Sequence, residues 1–295
     1  MKIVRDIQEM QQLAETLRQK GKRIGFVPTM GYLHQGHLSL MRFARSRCDV
    51  LVVSIFVNPT QFGPNEDFEQ YPRDFKRDEQ LCQQEGVDVV FYPTAADMYP
   101  EPYRTYVTVE ELSETMCGAS RPGHFRGVTT IVAKLFHIVK PHLAVFGQKD
   151  YQQSLIIRQM VRDLNFDVTI FVAPIVRESD GLAMSSRNQY LSPVERQQAL
   201  VLYQSLRQAE SLILQGERNV VHVRKAMEKV IAKAPDARID YIVFVDAETL
   251  QPIETVRHNT LIALAVYIGT TRLIDNTIIQ EKNGKLRGQL VNLEE

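Results

Sequence analysis

The chain has 295 residues, of which 44% are hydrophobic and 24% charged. That balance belongs to a folded globular protein rather than a disordered or fibrous one, and the length suits one large domain or two ordinary ones. With 35 Lys and Arg against 35 Asp and Glu, no net field draws the chain to nucleic acid or an anionic membrane, which still allows a local cluster of cations around an anionic ligand.

In chain order, Ile7, Met10, Leu13, Ala14 and Leu17 fall on one helical face, and Gly21 stops that helix. Ile24 to Pro28 reads as a short strand, followed by the loop TMGYLHQGH and a helix over HLSLMRFARSR. Asp49 to Pro59 is the β-branched run expected of a central parallel strand buried on both faces. A charged helix over 74–85 leads to the strand VDVVFYP. Val128, Ile131, Val132, Leu135 and Val139 mark a helix ended by Pro141. Then come a strand from Leu143 to Gly147, a helix with Ile157, Met160, Val161 and Leu164 on one face, and a strand from Asp167 to Ile175. This alternation predicts, over residues 1–176, a doubly wound α/β domain of Rossmann-like type. Its parallel sheet carries helices on both faces and takes ligands at the carboxyl ends of its strands.

After Ile175 the pattern changes. RESDGLAMSSRNQYLSP is a polar loop; Ala199, Leu202, Tyr203, Leu206 and Ala209 give a long helix, and a second lies near 220–233. IDYIVFVDAETL and TLIALAVYIG are strand-like, so a smaller α+β domain is expected over 177–295. No internal repeat or apolar run of membrane-spanning length is present, and the start, MKIVRDIQEM, lacks the apolar core of a secretory signal. Cys48, Cys82 and Cys117 have neither disulfide-framework nor zinc spacing and read as buried thiols of a reducing compartment.

The sharpest chemical signal is His34-Gln35-Gly36-His37, where a strand hands over to a helix. Gly36 allows close backbone approach, the new helix offers unpaired N–H groups, and two imidazoles can donate to phosphate oxygens. The competing role is helix capping. Gly147-Gln148-Lys149-Asp150 also follows a strand; Lys149 suits phosphate, while Asp150 suits capping of the next helix, and Gln153 lies one turn on. Met184-Ser185-Ser186-Arg187 offers two hydroxyls and a guanidinium for phosphate, and alone it reads as a polar linker. Asn58 and Gln61, in NPTQF, are neutral groups suited to a small polar substrate or to a Pro-centred turn. Arg121 to Gly127 (RPGHFRG) reads as a basic, Gly-punctuated loop before a helix, suited to holding a carboxylate or phosphate or equally to being a solvated loop. Glu66, Asp67, Asp74 and Asp78 offer candidate magnesium contacts, with phosphates and water as the main ligands; no metal ligand is assigned. Groups at the ends of three strands converge on a nucleotide site.

PTMGYLHQGH, FVNPTQF, RPGHFRGV, FGQKDYQQ and AMSSRN occur in the order found in the pantoate–β-alanine ligases. His-x-Gly-His alone marks only the broad nucleotidylyltransferase superfamily, and the chain resembles this one family within it. The resemblance implies that ATP and pantoate form pantoyl adenylate and pyrophosphate, and that β-alanine then gives pantothenate and AMP. It also implies magnesium, a homodimer and a cytoplasmic location. By the same mapping Met30, Gly31, Tyr32, Leu33, His34, Gln35, Gly36 and His37 line the ATP site, with Gly147, Gln148, Lys149, Asp150, Val176, Met184, Ser185, Ser186 and Arg187 as further ATP contacts. Gln61 contacts pantoate and β-alanine, and Gln153 contacts pantoate; Asn58 is grouped with them as a substrate residue. His34, His37, Lys149 and Arg187 would supply the charge stabilisation. Small molecules are the expected partners, without nucleic acid or membrane. The second domain is a candidate lid, and the segment around Ser185 a candidate closing element. An adenylyltransferase acting on a phosphorylated cofactor precursor is the alternative, separable by its indifference to β-alanine.

Overall fold

A computed structural model describes residues 1–64, 66–282 and 284–290, and the chain divides into two units, Met1–Val176 and Arg177–Glu295. In chain order the first unit comprises β1 (Lys2–Val4), α1 (Ile7–Gln19), β2 (Ile24–Thr29), α2 (Gln35–Arg45), β3 (Val50–Ile55), α3 (Phe75–Gln84), β4 (Val89–Phe91), the short turns α4 (Ala95–Met98) and α5 (Cys117–Ser120), α6 (His124–Val139), β5 (Leu143–Gly147), α7 (Tyr151–Asp163) and β6 (Thr169–Ala173).

All six strands pair in parallel, in the order β1-β4-β3-β2-β5-β6. The strand period of two explains why both faces need helices. Ile24 and Phe26 of β2 and Val52 of β3 enter one core with α1, α6 and α7, whereas Val27, Leu51, Val53 and Ile55 enter the other with α2 and α3. From β2 the chain winds outward through β3 to β4, and from β5 it winds the opposite way to β6. The reversal lies between β2 and β5, the crevice where such sheets bind ligands.

Several boundaries differ from expectation. The run from Asp49 to Pro59 is strand only over Val50–Ile55, because Asn58 caps a 3-10 turn, Pro59–Gln61, that begins at the proline. The expected basic loop ends early: His124 to Gly127 already form the first turn of α6. Cys82 and Cys117 are buried as expected, but Cys48 is only half-buried.

The second unit carries α8 (Pro193–Gln198), α9 (Leu200–Leu214), α10 (Val220–Ile231), β7 (Ala237–Asp246), β8 (Thr260–Ile268), β9 (Thr271–Lys282) and β10 (Lys285–Arg287). Its antiparallel sheet, ordered β10-β9-β8-β7, packs against α9 and α10 around Leu206, Val223, Phe244 and Leu264. Sequence reading anticipates two of these four strands and misses the short β10 and also β9, whose buried Thr271, Asp275, Asn276 and Thr277 hide its strand character. Among the described residues no helix is long and apolar enough to cross a membrane.

Candidate active site

The turn from β2 to α2 is built by backbone conformation first. Gly31 (φ +80°) and Tyr32 (φ +48°) both adopt left-handed geometry, reversing the chain within two residues. Thr29 Oγ1 accepts the Gly31 N–H at 3.1 Å. Asp78, buried on α3, accepts the N–H of Tyr32 through Oδ2 and that of Leu33 through Oδ1, each at 2.7 Å. Burial pushes the Asp78 carboxyl above its ordinary value, while the two N–H groups and Arg77 work the other way. A Cβ on Gly31 would lie 2.9 Å from Asp78 Oδ2, so glycine suits that position twice over.

The turn delivers His34 as the cap of α2. Its Nδ1 accepts the Gly36 N–H at 3.1 Å, and His37 Nδ1 accepts the His34 N–H at 3.3 Å. The rings lie 4.1 Å apart between centroids. Capping and phosphate chemistry, posed as alternatives by the sequence, are thus compatible. An Nδ1 that accepts an N–H carries no proton, so each neutral ring bears its proton on Nε2, as a donor. Burial, then His37, Lys149 and Arg77, push the pKa of His34 down to about 2. Burial and Lys149 push His37 down to about 4, against a smaller opposing effect of Asp150. Both rings are neutral donors at neutral pH rather than cations.

β5, the neighbour of β2, ends at Gly147 and passes through a 3-10 turn, Gln148–Asp150, into α7. This places Lys149 across the switch point, where its charge acts on both imidazoles. Asp150 occupies the cap position of α7 but makes no side-chain cap bond, contrary to the expected role. Gln153 lies in the first turn of α7, and its amide makes no hydrogen bond among the described residues. Val176 follows just beyond β6.

At the end of β3, Asn58 is buried and its amide is spent within the protein. Nδ2 donates to Gln61 Oε1 (2.8 Å) and to Gly127 O (3.1 Å), while Oδ1 accepts from Tyr99 Oη (2.7 Å) and Thr60 Oγ1 (3.0 Å). Its geometry orients Gln61 and leaves no spare donor for a substrate. The Gln61 carbonyl is held in turn: His124 Nδ1 donates to it at 2.8 Å and Arg121 at 3.3 Å. Arg121 also donates to His124 Nε2 and pairs with Glu66. Burial and the Arg121 charge push His124 down to about 4, so it too is neutral.

In the first unit Asn58 and Gln61 follow β3, Met30 to His37 follow β2 and Gly147 to Asp150 follow β5, three adjacent strands, while Gln153 lies in α7 and Val176 beyond β6. Within the second unit, Met184 to Arg187 follow a tight turn; Ser185 Oγ caps the 3-10 turn Ser186–Tyr190 by accepting the Arg187 N–H at 3.3 Å. Sequence reading misses the supporting roles of Asp78, Tyr99, Arg121 and His124. Asp78 and the RPGHFRG segment stand out in the sequence for other reasons, whereas Tyr99 lies in a stretch without periodicity.

Among the described residues no group of three or more His, Cys, Asp or Glu side chains is placed to hold a metal ion. Of the acidic candidates, Glu66 is paired with Arg121, Asp78 is bonded to two N–H groups, and Asp74 caps α3 by accepting the Arg77 N–H at 3.1 Å. Three of the four acidic candidates are thus engaged within the protein.

A model of the pantoate-beta-alanine ligase family matches residues 2–278. Pantothenate synthetase of Thermotoga petrophila is 59% identical over 279 residues, covering 95% of this chain and all of that protein. The Geobacter sulfurreducens enzyme of the same name is 57% identical over 282 residues, 96% of this chain and all of its own length. The crystal structure of pantothenate synthetase from Thermus thermophilus superposes with a TM-score of 0.89 at 46% identity, covering 94% of this chain and 98% of that one. Pantoate-beta-alanine ligase from Francisella tularensis, complexed with beta-gamma ATP and beta-alanine, gives 0.79 at 38% identity over 94% and 97% of the two chains. A family match across nearly the whole chain, with near-full-length relatives at more than half identity, places this chain in the pantoate–β-alanine ligase family, and it is an ATP-dependent ligase.

Proposed function

We propose that the protein joins pantoate to β-alanine in two steps at the carboxyl ends of β3, β2 and β5. A carboxylate is a poor acyl donor, because its oxygen is a bad leaving group. In the first step a pantoate carboxylate oxygen attacks the α-phosphorus of ATP, and pyrophosphate departs with the electrons of the broken P–O bond. In the second the β-alanine amine attacks the acyl carbon, AMP departs and the nitrogen gives up a proton. Neither step needs a nucleophilic side chain; the protein positions the reactants and stabilises charge.

The observation that carries this reading is the pair of neutral Nε2–H donors with Lys149 across the crevice. Neutral donors strengthen as charge builds on phosphate oxygens, and Lys149 supplies the fixed cation. Met30, Gly31, Tyr32, Leu33, Gln35 and Gly36, with Gly147, Gln148, Asp150 and Val176, are the proposed nucleotide contacts of the first unit. Met184, Ser185, Ser186 and Arg187 are those of the second. Gln61 and Gln153 are the proposed substrate contacts, with Asn58 acting through Gln61. Magnesium would be held mainly by the ATP phosphates and water and would offset part of their charge, beside the cation that Lys149 supplies. The family resemblance further supports a homodimer, which sedimentation would test, and a cytoplasmic enzyme whose partners are small molecules.

The deciding experiment incubates the protein with ATP, magnesium and pantoate, and assays pyrophosphate before β-alanine is added. Pyrophosphate in a near-stoichiometric burst, then AMP and pantothenate on addition of β-alanine, is the expected result. AMP production indifferent to β-alanine would point instead to adenylyl transfer alone.

A further inference from the structure

We propose that the buried ion pair between Arg177 and Asp275 positions the Met184–Arg187 segment, so that Asp275, on a strand distant in sequence from every motif, sets the affinity for ATP. The proposal rests on the reading that this segment contacts ATP.

The sequence of the segment suggests a mobile polar loop, and the second unit holds it otherwise. Arg177 sends two parallel hydrogen bonds into one carboxylate, Nη1 to Asp275 Oδ2 at 2.6 Å and Nη2 to Asp275 Oδ1 at 2.8 Å. The side chains are 10% and 1% exposed, so solvent screens the pair little. Arg177 Nη1 also donates to the Gly181 carbonyl at 3.0 Å, and the guanidinium lies over the Tyr203 ring at 5.1 Å. One side chain thus locks the floor of the turn to both β9 and α9. The turn closes on itself: Arg177 and Ala183 pair as an antiparallel bridge, and the Glu178 N–H donates to Leu182 O at 2.8 Å. Gly181 sits at φ +98°, where a Cβ would fall 2.2 Å from the Tyr203 ring.

The other end is tied as well. Asn188 Nδ2 donates to Glu178 Oε1 (3.1 Å) and to the Ala183 carbonyl (3.2 Å). Arg196 donates to Glu178 Oε2 at 2.6 Å and to both Asp180 oxygens. Residues 184–187 therefore run between two tied points, Ala183 and Asn188, with Ser186 buried and Ser185 capping the 3-10 turn that holds Arg187. A buried ion pair is weak evidence for stability, since apolar residues of similar volume often replace one without loss. What apolar residues cannot reproduce is the direction imposed by a planar two-bond fork. A misplacement of about 1 Å can cost about 100-fold in rate. Asp275 is a positioning residue in this account, acting on nucleotide through Arg177 and the turn.

The test measures pyrophosphate exchange against ATP and pantoate concentration, with a melting curve for each protein. Asp275→Asn and the double variant Arg177→Met/Asp275→Leu are compared with Arg187→Ala. The expected result is a rise of about tenfold or more in KM for ATP in both anchor variants, by loss of orientation. KM for pantoate should stay within about twofold, and the apolar double variant should melt close to the parent. If Asp275→Asn does not fold, the double variant and Arg177→Lys, which keeps the charge and loses the fork, carry the same readout. A folded double variant with parental KM for ATP overturns the anchor, provided that Arg187→Ala raises it. Unchanged ATP kinetics in Arg187→Ala instead remove the nucleotide reading of the segment, and the proposal falls with it.

Discussion

The Asp78 carboxylate and the Leu33 backbone N–H, 45 residues apart in the chain, meet at 2.7 Å. With the matching bond to Tyr32, this fixes the turn whose next residue is the His34 cap. The turn contains a non-glycine residue at positive φ, a conformation that survives only where neighbours over-determine it. Asp78→Asn would turn an NH2 group toward an N–H and leave one donor unsatisfied, at about 1–3 kcal/mol. Denaturant unfolding should show that loss, and adenylation should fall further than stability alone explains, because the histidines lose their aim. A variant with parental stability and activity would remove Asp78 from this role.

The histidine pair makes a second prediction. Both rings should titrate far below 6.5 and carry the proton on Nε2 at neutral pH. Nitrogen NMR of labelled His34 and His37 checks both points, and an Nδ1–H tautomer or a midpoint near 6.5 would contradict them. The folded pKa values lie below the unfolded value, so the unfolded chain binds more protons through the intervening range. The contribution to stability is therefore full above pH 6.5 and is lost as pH falls toward about 4 for His37 and about 2 for His34. Chemical denaturation at about pH 7.5 and about pH 5 should show the first part of that loss.

Removing the charge-stabilising groups should act on turnover more than on binding. His37→Ala should lower the adenylation rate by about 100- to 1,000-fold, the usual cost of deleting a preorganised donor at developing charge, with a much smaller change in pantoate affinity. Lys149→Ala should slow pyrophosphate release on a similar scale. Stopped-flow pyrophosphate assays and equilibrium pantoate binding separate the effects. Near-normal turnover in His37→Ala, or parental pyrophosphate release in Lys149→Ala, would refute the assigned roles.

The parallel sheet was legible because both its faces are covered, so its strands stand out as continuous apolar runs such as that beginning at Val50. His34, His37 and Lys149 were legible because strand-to-helix junctions are local in sequence. β9 was hidden, because Asp275 and Thr277 are polar yet buried, with partners that only the fold supplies: Arg177 for one and Glu210 for the other. The links of Asn58 to Tyr99 and of His124 to Gln61 span 41 and 63 residues. Neither periodicity nor motif spacing reaches across such gaps, so the links that aim Gln61 stayed invisible, although Asn58, Gln61 and the RPGHFRG segment each stood out in the sequence.

Gly127 tests that hidden support. A Cβ there would fall 2.2 Å from the Thr60 carbonyl oxygen and 2.8 Å from the Gln61 nitrogen. These are backbone atoms and cannot swing aside as a flexible side chain would, so Gly127→Ala must move α6 away from the Pro59–Gln61 turn. The Gly127 carbonyl would then draw away from Asn58 Nδ2, and Asn58 from its bond to Gln61 Oε1. Overpacking of this kind costs about 1–3 kcal/mol, and it falls on the residue proposed to meet pantoate and β-alanine. Gly127→Ala should therefore raise KM for both while KM for ATP changes little. A uniform fall in kcat with all three KM values unchanged would show that the close approach matters to folding and not to the aim of Gln61.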